Sequence, residues 1–153
     1  MSALRILVDA DACPVKDEIY RVAERYGTPV SIVANAPFRI PALPFVERVI
    51  VDAGFDAADD WIAERAGPAT VVVTGDILLA DRCIKAGATV LGHNGRPFTA
   101  ASIGQAVAQR ALMADLRAME TVSGGPAPFA KADRSRFLSA LDEAINRLRR
   151  QGL

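Results

Sequence analysis

The run Ala69–Thr74 (ATVVVT) narrows the possible folds more than any other stretch. It is the most continuous β-branched segment in the chain, bracketed by Gly67-Pro68 before it and Gly75-Asp76 after it. A strand without polar alternation has no face to give to water and needs packing on both sides. That points to a central strand of a parallel sheet with helices on both faces.

The rest of the chain supplies such a sheet. Arg5–Asp9 reads as a first strand, and Cys13-Pro14 turns the chain into a helix over Val15–Tyr26. There Ile19, Val22, Ala23 and Tyr26 recur at helical spacing, and Gly27 stops the helix. Pro29–Ala34 is a second strand. Asn35–Pro44, with Pro37, Pro41 and Pro44, is a loop long enough to suggest function. Arg48–Val51 is a third strand, Asp56–Ala66 a helix, Ile77–Ala86 another, and Ala88–Leu91 a fifth strand after the central one. Asn94-Gly95 marks a turn. Thr99–Met119 is a long helix, Val122–Lys131 a loop, and Asp133 caps a last helix to about Gln151. The expectation is an α/β three-layer sandwich whose five-stranded, mainly parallel sheet has the order 3-2-1-4-5. It is a single domain over 1–153 with a C-terminal helical extension over about 99–151. Its last two helices, with no strand between them, cover one sheet face or reach a partner subunit in a homo-oligomer.

Charge and cysteine usage limit the class. The 18 basic residues balance 18 acidic ones, so no global positive field favours nucleic acid and a local patch would have to. Two cysteines, Cys13 and Cys83, are too few for a disulfide framework and read as reduced thiols of a cytoplasmic protein. The start MSALRILVDAD lacks a leader pattern, and no apolar run nears the roughly 18 residues of a membrane span.

The chemistry-bearing residues are mostly aspartates. Asp9 and Asp11 follow the first strand, Asp76 follows the fourth, and Asp81 lies further along the next helix. Asp56 and Asp60, four apart, share a helix face. In the expected strand order the first and fourth strands are neighbours at the switch point, where open α/β sheets bind ligands. Carboxylates gathered there repel one another. A hard divalent cation, Mg²⁺ or Mn²⁺, relieves this and supports displacement at phosphorus. The candidate metal ligands are therefore Asp9, Asp11, Asp56, Asp60, Asp76 and Asp81, with Asp9, Asp60, Asp76 and Asp81 as the catalytic set. Each also has a plain structural role available: Asp11 and Asp76 as helix caps, Asp56, Asp59 and Asp60 as acids in a first turn. Cys13 and Cys83 read as packed thiols, His93 as a loop residue, Thr74 as a strand terminus and Trp61 as core. Arg39, Arg110, Arg117, Lys131, Arg134 and Arg136 are candidates for holding nucleic-acid phosphates. The late GPAPF and DRSRF segments suggest an RNA-binding lip.

Four segments, VDADACPVKDEIYRVAER, GFDAADDWI, VVVTGDILLADRCIKAGA and the late GPAPF…DRSRF, resemble the YaiI/YqxD family of small, functionally uncharacterised bacterial proteins over nearly the whole chain. That family's pattern is similar to PIN-like nuclease domains. The resemblance implies a parallel sheet and an acidic, Mg²⁺- or Mn²⁺-binding site that cuts RNA. It implies site positions at Asp9, at Asp56 or Asp60, and at Asp76 with Asp81. Asp11 and Cys13 have no place in that pattern.

Two rival readings use the same aspartates. VDADA and GDILLAD mimic the motifs of a haloacid-dehalogenase-type phosphatase, but no lysine lies between Lys16 and Lys85 to fill its phosphate-holding slot. A phospho-receiver is the non-enzyme analogue, with His93 where its lysine belongs. A plainer alternative is an RNA- or metal-binding module without turnover.

Overall fold

A computed structural model describes residues 4–11, 13–36, 38–52, 56–119 and 129–153, with the backbone alone described over 113–119. The elements run β1 (Arg5–Asp9), α1 (Lys16–Tyr26), β2 (Val30–Ala34), β3 (Val46–Ile50), α2 (Ala57–Arg65), β4 (Thr70–Val73), α3 (Ile77–Lys85), β5 (Thr89–Leu91), β6 (Pro97–Phe98), α4 (Ala100–Met119) and α5 (Lys131–Arg150). Among the described residues they make a six-stranded sheet of order β3-β2-β1-β4-β5-β6, parallel except for the β5–β6 pair.

The core follows from strand periodicity. Successive side chains point to opposite faces. Ile6 and Val8 therefore pack on one side of the sheet with Val71 and Val73, while Leu7 and Val72 pack on the other. The first face is covered by α1 and α5 through Ile19, Val22, Phe137, Leu141 and Ile145. The second is covered by α2, α3 and the start of α4 through Ile62, Leu79, Cys83 and Ile103. All of β4 is buried, as its unbroken apolar run requires. At the end of α1, Gly27 takes a left-handed conformation with φ 62°, and its N–H meets the Ala23 and Glu24 carbonyls.

Two expectations need correction. The sheet has a sixth strand, because the turn at Asn94-Gly95 returns the chain antiparallel to β5. Two residues beginning with a proline carry no periodicity that could reveal a strand. The last two helices do not share a face: α4 lies with α3 and α5 with α1. That placement allows the buried apolar stripe of α5 to cover a sheet face that α1 alone leaves open. Gly95 sits against α5, where an added Cβ would lie 2.7 Å from the Arg136 carbonyl carbon. Asp133 serves α5 from inside the helix: its carboxylate accepts from the Ala130 N–H at 2.9 Å. Among the described residues no helix is long and apolar enough to cross a membrane.

Candidate functional site

β1 and β4 are parallel neighbours, and the chain leaves them toward opposite faces of the sheet, into α1 and α3. Their carboxyl ends open a crevice at this switch point. A pocket of about 770 Å³ occupies it, with Asp9, Asp11, Asp56, Asp59 and Asp76 in its lining beside Lys16, Phe38, Asn35 and His93.

Three segments supply the carboxylates. Asp9 ends β1 and is only 9% exposed. Its Oδ2 accepts from Thr74 Oγ1 at 3.0 Å, and its Oδ1 accepts a longer bond, 3.4 Å, from the Asp11 N–H. Thr74 is fully buried just past β4, and its Oγ1 also accepts from the Asp76 N–H at 3.0 Å. One hydroxyl therefore ties the two strand ends together. Asp76 caps α3, its Oδ1 accepting from Leu78 N–H at 2.9 Å and Leu79 N–H at 3.4 Å. Asp56 precedes α2 in a left-handed conformation, φ 66°, the one such non-glycine among the described residues. Aspartate tolerates that region better than most side chains. Asp59 follows within the first turn of α2, half-buried, with no hydrogen bond among the described residues.

The electrostatics reflect crowding. Burial pushes Asp59 up to about 6, helped by repulsion from Asp76, Asp9 and Asp56. Asp9 is also raised, by burial first and then against the opposing Thr74 and Asp11 hydrogen bonds. His93 sits against Gly75, where a Cβ would come within 3.2 Å of the imidazole Cε1. Its Nε2 is shielded and unpaired among the described residues, and burial lowers its pKa, which leaves the ring neutral.

The structure separates the expected aspartates. Asp9, Asp11, Asp56 and Asp76 line the pocket, but Asp60 and Asp81 do not. Asp60 pairs with Arg82 at 2.8 Å, and Asp81 with Lys85 at 2.9 Å. The four-residue spacing fails for Asp60 because Asp56 stands outside the helix in a left-handed turn, so Asp59 takes the pocket side and Asp60 faces α3. Asp81, five residues past Asp76, is rotated roughly 140° around the helix axis, away from the crevice. Among the described residues no three acidic, His or Cys side chains form a ready ligand set for a metal. The donor chemistry nonetheless fits a hard cation: among the described residues the lining holds five carboxylates and a single lysine, Lys16. Asp9 and Asp76, at the carboxyl ends of neighbouring β1 and β4, are the residues that would hold it.

Of the expected basic lip, Arg134 stands over the Phe129 ring, 5.2 Å from its centroid, while residues 125–128 of the GPAPF segment lie outside the described residues. Arg134 donates to the Pro14 carbonyl and lies 3.7 Å from Glu18, and Arg136 pairs with Asp133. Arg39 and Lys131 are exposed, and Arg110 is exposed on α4, across the sheet from α5. Arg117 lies outside the residues whose side chains are described. Both thiols behave as packed groups, each pushed up by burial, Cys83 to about 11. Sequence reasoning passed over Asp59, Thr74, Lys16, Phe38 and His93 as site residues. For His93 a usable signal existed: it follows β5, the strand next to β4 on the same sheet edge.

A family model described as "Uncharacterized BCR, YaiI/YqxD family" matches residues 7–147. A protein of Sphingopyxis alaskensis named "UPF0178 protein" is 65% identical over 151 residues, 98% of each chain. Proteins of the same name from Nitrobacter winogradskyi and Rhodopseudomonas palustris are each 61% identical over 98% of this chain and 96% and 97% of their own. No solved structure matches the chain.

Proposed function

The chain belongs to the YaiI/YqxD family, and from the pocket its residues build we propose a divalent-cation-dependent phosphodiesterase that cuts RNA. The observation that carries this reading is the arrival of five carboxylates from three chain segments in one pocket at the switch point, with Lys16 beside them. A carboxylate cluster of this kind costs stability unless cations meet it, so its presence favours a charge-based role over capping alone. A divalent cation would supply polarisation of a phosphoryl oxygen and a lowered pKa for water. The chain's own residues do the rest. Thr74 and the Asp11 N–H fix the Asp9 carboxylate, and the cap contacts fix Asp76. Asp59, which makes no hydrogen bond among the described residues, accepts a proton from the attacking water at its carboxylate. Lys16 Nζ holds the phosphate against acidic walls.

A second reading draws on Lys16 itself. The sequence leaves the phosphate-holding lysine of a haloacid-dehalogenase-type phosphatase unassigned, and Lys16 brings one into the pocket from the start of α1. Here Asp9 would be the nucleophile toward a phosphomonoester. The test is turnover of single-stranded RNA, a bis-aryl phosphodiester and an aryl phosphomonoester with Mn²⁺, on wild type, Asp9→Asn and Asp76→Asn. RNA and diester cleavage lost in both variants supports the first reading. Cleavage of the monoester alone supports the second. Metal binding with no turnover of any substrate supports a binding module.

A further inference from the structure

The pocket has a second wall that none of the carboxylate chemistry uses. It comes from the β2–β3 connection, which crosses between parallel strands with no helix among its described residues and carries Asn35 and Phe38 into the lining. The connection is pinned where the Arg48 Nη1 donates to the Phe38 carbonyl at 3.0 Å. Phe38 is half-buried, packed against the core that α1 and α5 share. Above its ring, 5.6 Å from the centroid, stands the Lys16 ammonium. An aromatic face and a phosphate-seeking cation thus adjoin one another within the same pocket as Asp9, Asp59 and Asp76.

We infer that Phe38 is a stacking platform for an unpaired nucleobase and that Lys16 meets the phosphate attached to it. The ligand class is a nucleobase carrying a phosphate, free or at the end of a single strand. Three features support this. The pocket, about 770 Å³, is of a size that takes a nucleotide. A cation 5.6 Å from the centroid of a half-buried ring is held weakly, so a base displaces it from the ring and leaves it free for the phosphate. A base within a duplex cannot reach a ring set inside a pocket, so the base must be unpaired. Asn35, exposed in the same lining, has an amide that suits a base edge. The inference rests on the carboxylate pocket as the hydrolytic site and assigns that site its substrate.

The experiment is calorimetry of AMP and ribose 5-phosphate in Mn²⁺, with Mn²⁺ alone titrated separately. The proteins are wild type, Phe38→Leu, Phe38→Tyr and Lys16→Met. Base stacking on one aromatic ring predicts that wild type prefers AMP by roughly 5- to 150-fold. Phe38→Leu abolishes the preference and Phe38→Tyr, which keeps the ring and guards against a folding defect, retains it. Lys16→Met weakens both ligands alike. Equal binding of AMP and ribose 5-phosphate by wild type, or a preference that survives Phe38→Leu, overturns the platform. If wild type binds no Mn²⁺ yet prefers AMP in a Phe38-dependent way, the hydrolase reading falls and the platform stands. A 5′-phosphorylated pentanucleotide held more than about tenfold tighter than AMP assigns the site to strand ends, and equal affinity assigns it to the free nucleotide.

Discussion

Asp59 offers the clearest test of the electrostatics. In the folded chain its carboxyl holds a proton up to about pH 6, whereas the ordinary value is 3.8. The folded state thus binds more protons than the unfolded one across that interval, so stability falls as pH rises from about 4 to about 6 and stays lower above it. The rise from 3.8 to about 6 corresponds to ~3 kcal/mol at full strength. Asp59 is half-exposed, and screening by water reduces this to ~1 kcal/mol. Asp59→Asn removes the charge and no hydrogen bond among the described residues. In a chain of this length it should raise Tm by about 2–4 °C near pH 8 in EDTA, the gain shrinking toward zero near pH 4. Thermal melts followed by circular dichroism at several pH values measure this. Asp60→Asn is the matched control: it breaks the exposed pair with Arg82 and should lower Tm slightly or leave it alone. A pH-independent Asp59→Asn effect, or no stabilisation near pH 8, would refute the account of a crowded carboxylate cluster.

Other positions yield equally direct outcomes. Thr74→Val keeps the shape but removes the link between Asp9 and the Asp76 N–H; chemical denaturation should show a loss of about 1–3 kcal/mol. Phe137→Ala empties a fully buried site between α5 and the sheet and should cost about 3–5 kcal/mol in the same assay. Gly95→Ala combines a strained φ of 85° with a backbone clash against Arg136, and melting should report destabilisation of about 1–3 kcal/mol.

Much of the fold was legible because its signals are periodic. The unbroken ATVVVT run, the Ile19–Val22–Ala23 spacing and Gly27 locate a central strand and a bounded helix, and the structure places both there. The β6 strand escaped notice because pairing, rather than pattern, makes it a strand. The split of α4 and α5 between faces depends on which side of the sheet is left open, a tertiary property. In the pocket, Asp9 and Asp76 follow from the rule that strand ends carry chemistry. Asp59 in place of Asp60 does not, since it turns on one left-handed residue, Asp56, that ends the regular helix spacing. Thr74 reads as a strand terminus and is one, but its hydroxyl joins two strands that lie 65 residues apart in sequence. Lys16 and Phe38 look like a solvated helix charge and a loop apolar; only the packing of the β2–β3 connection brings them together.

The central claim is that this pocket takes a hard divalent cation, and calorimetric titration of Mn²⁺ and Mg²⁺ into wild type and Asp9→Asn/Asp76→Asn tests it most directly. The account predicts saturable binding by wild type that disappears in the double variant, with both proteins folded by circular dichroism. Absence of binding in wild type, or undiminished binding in the double variant, would contradict it.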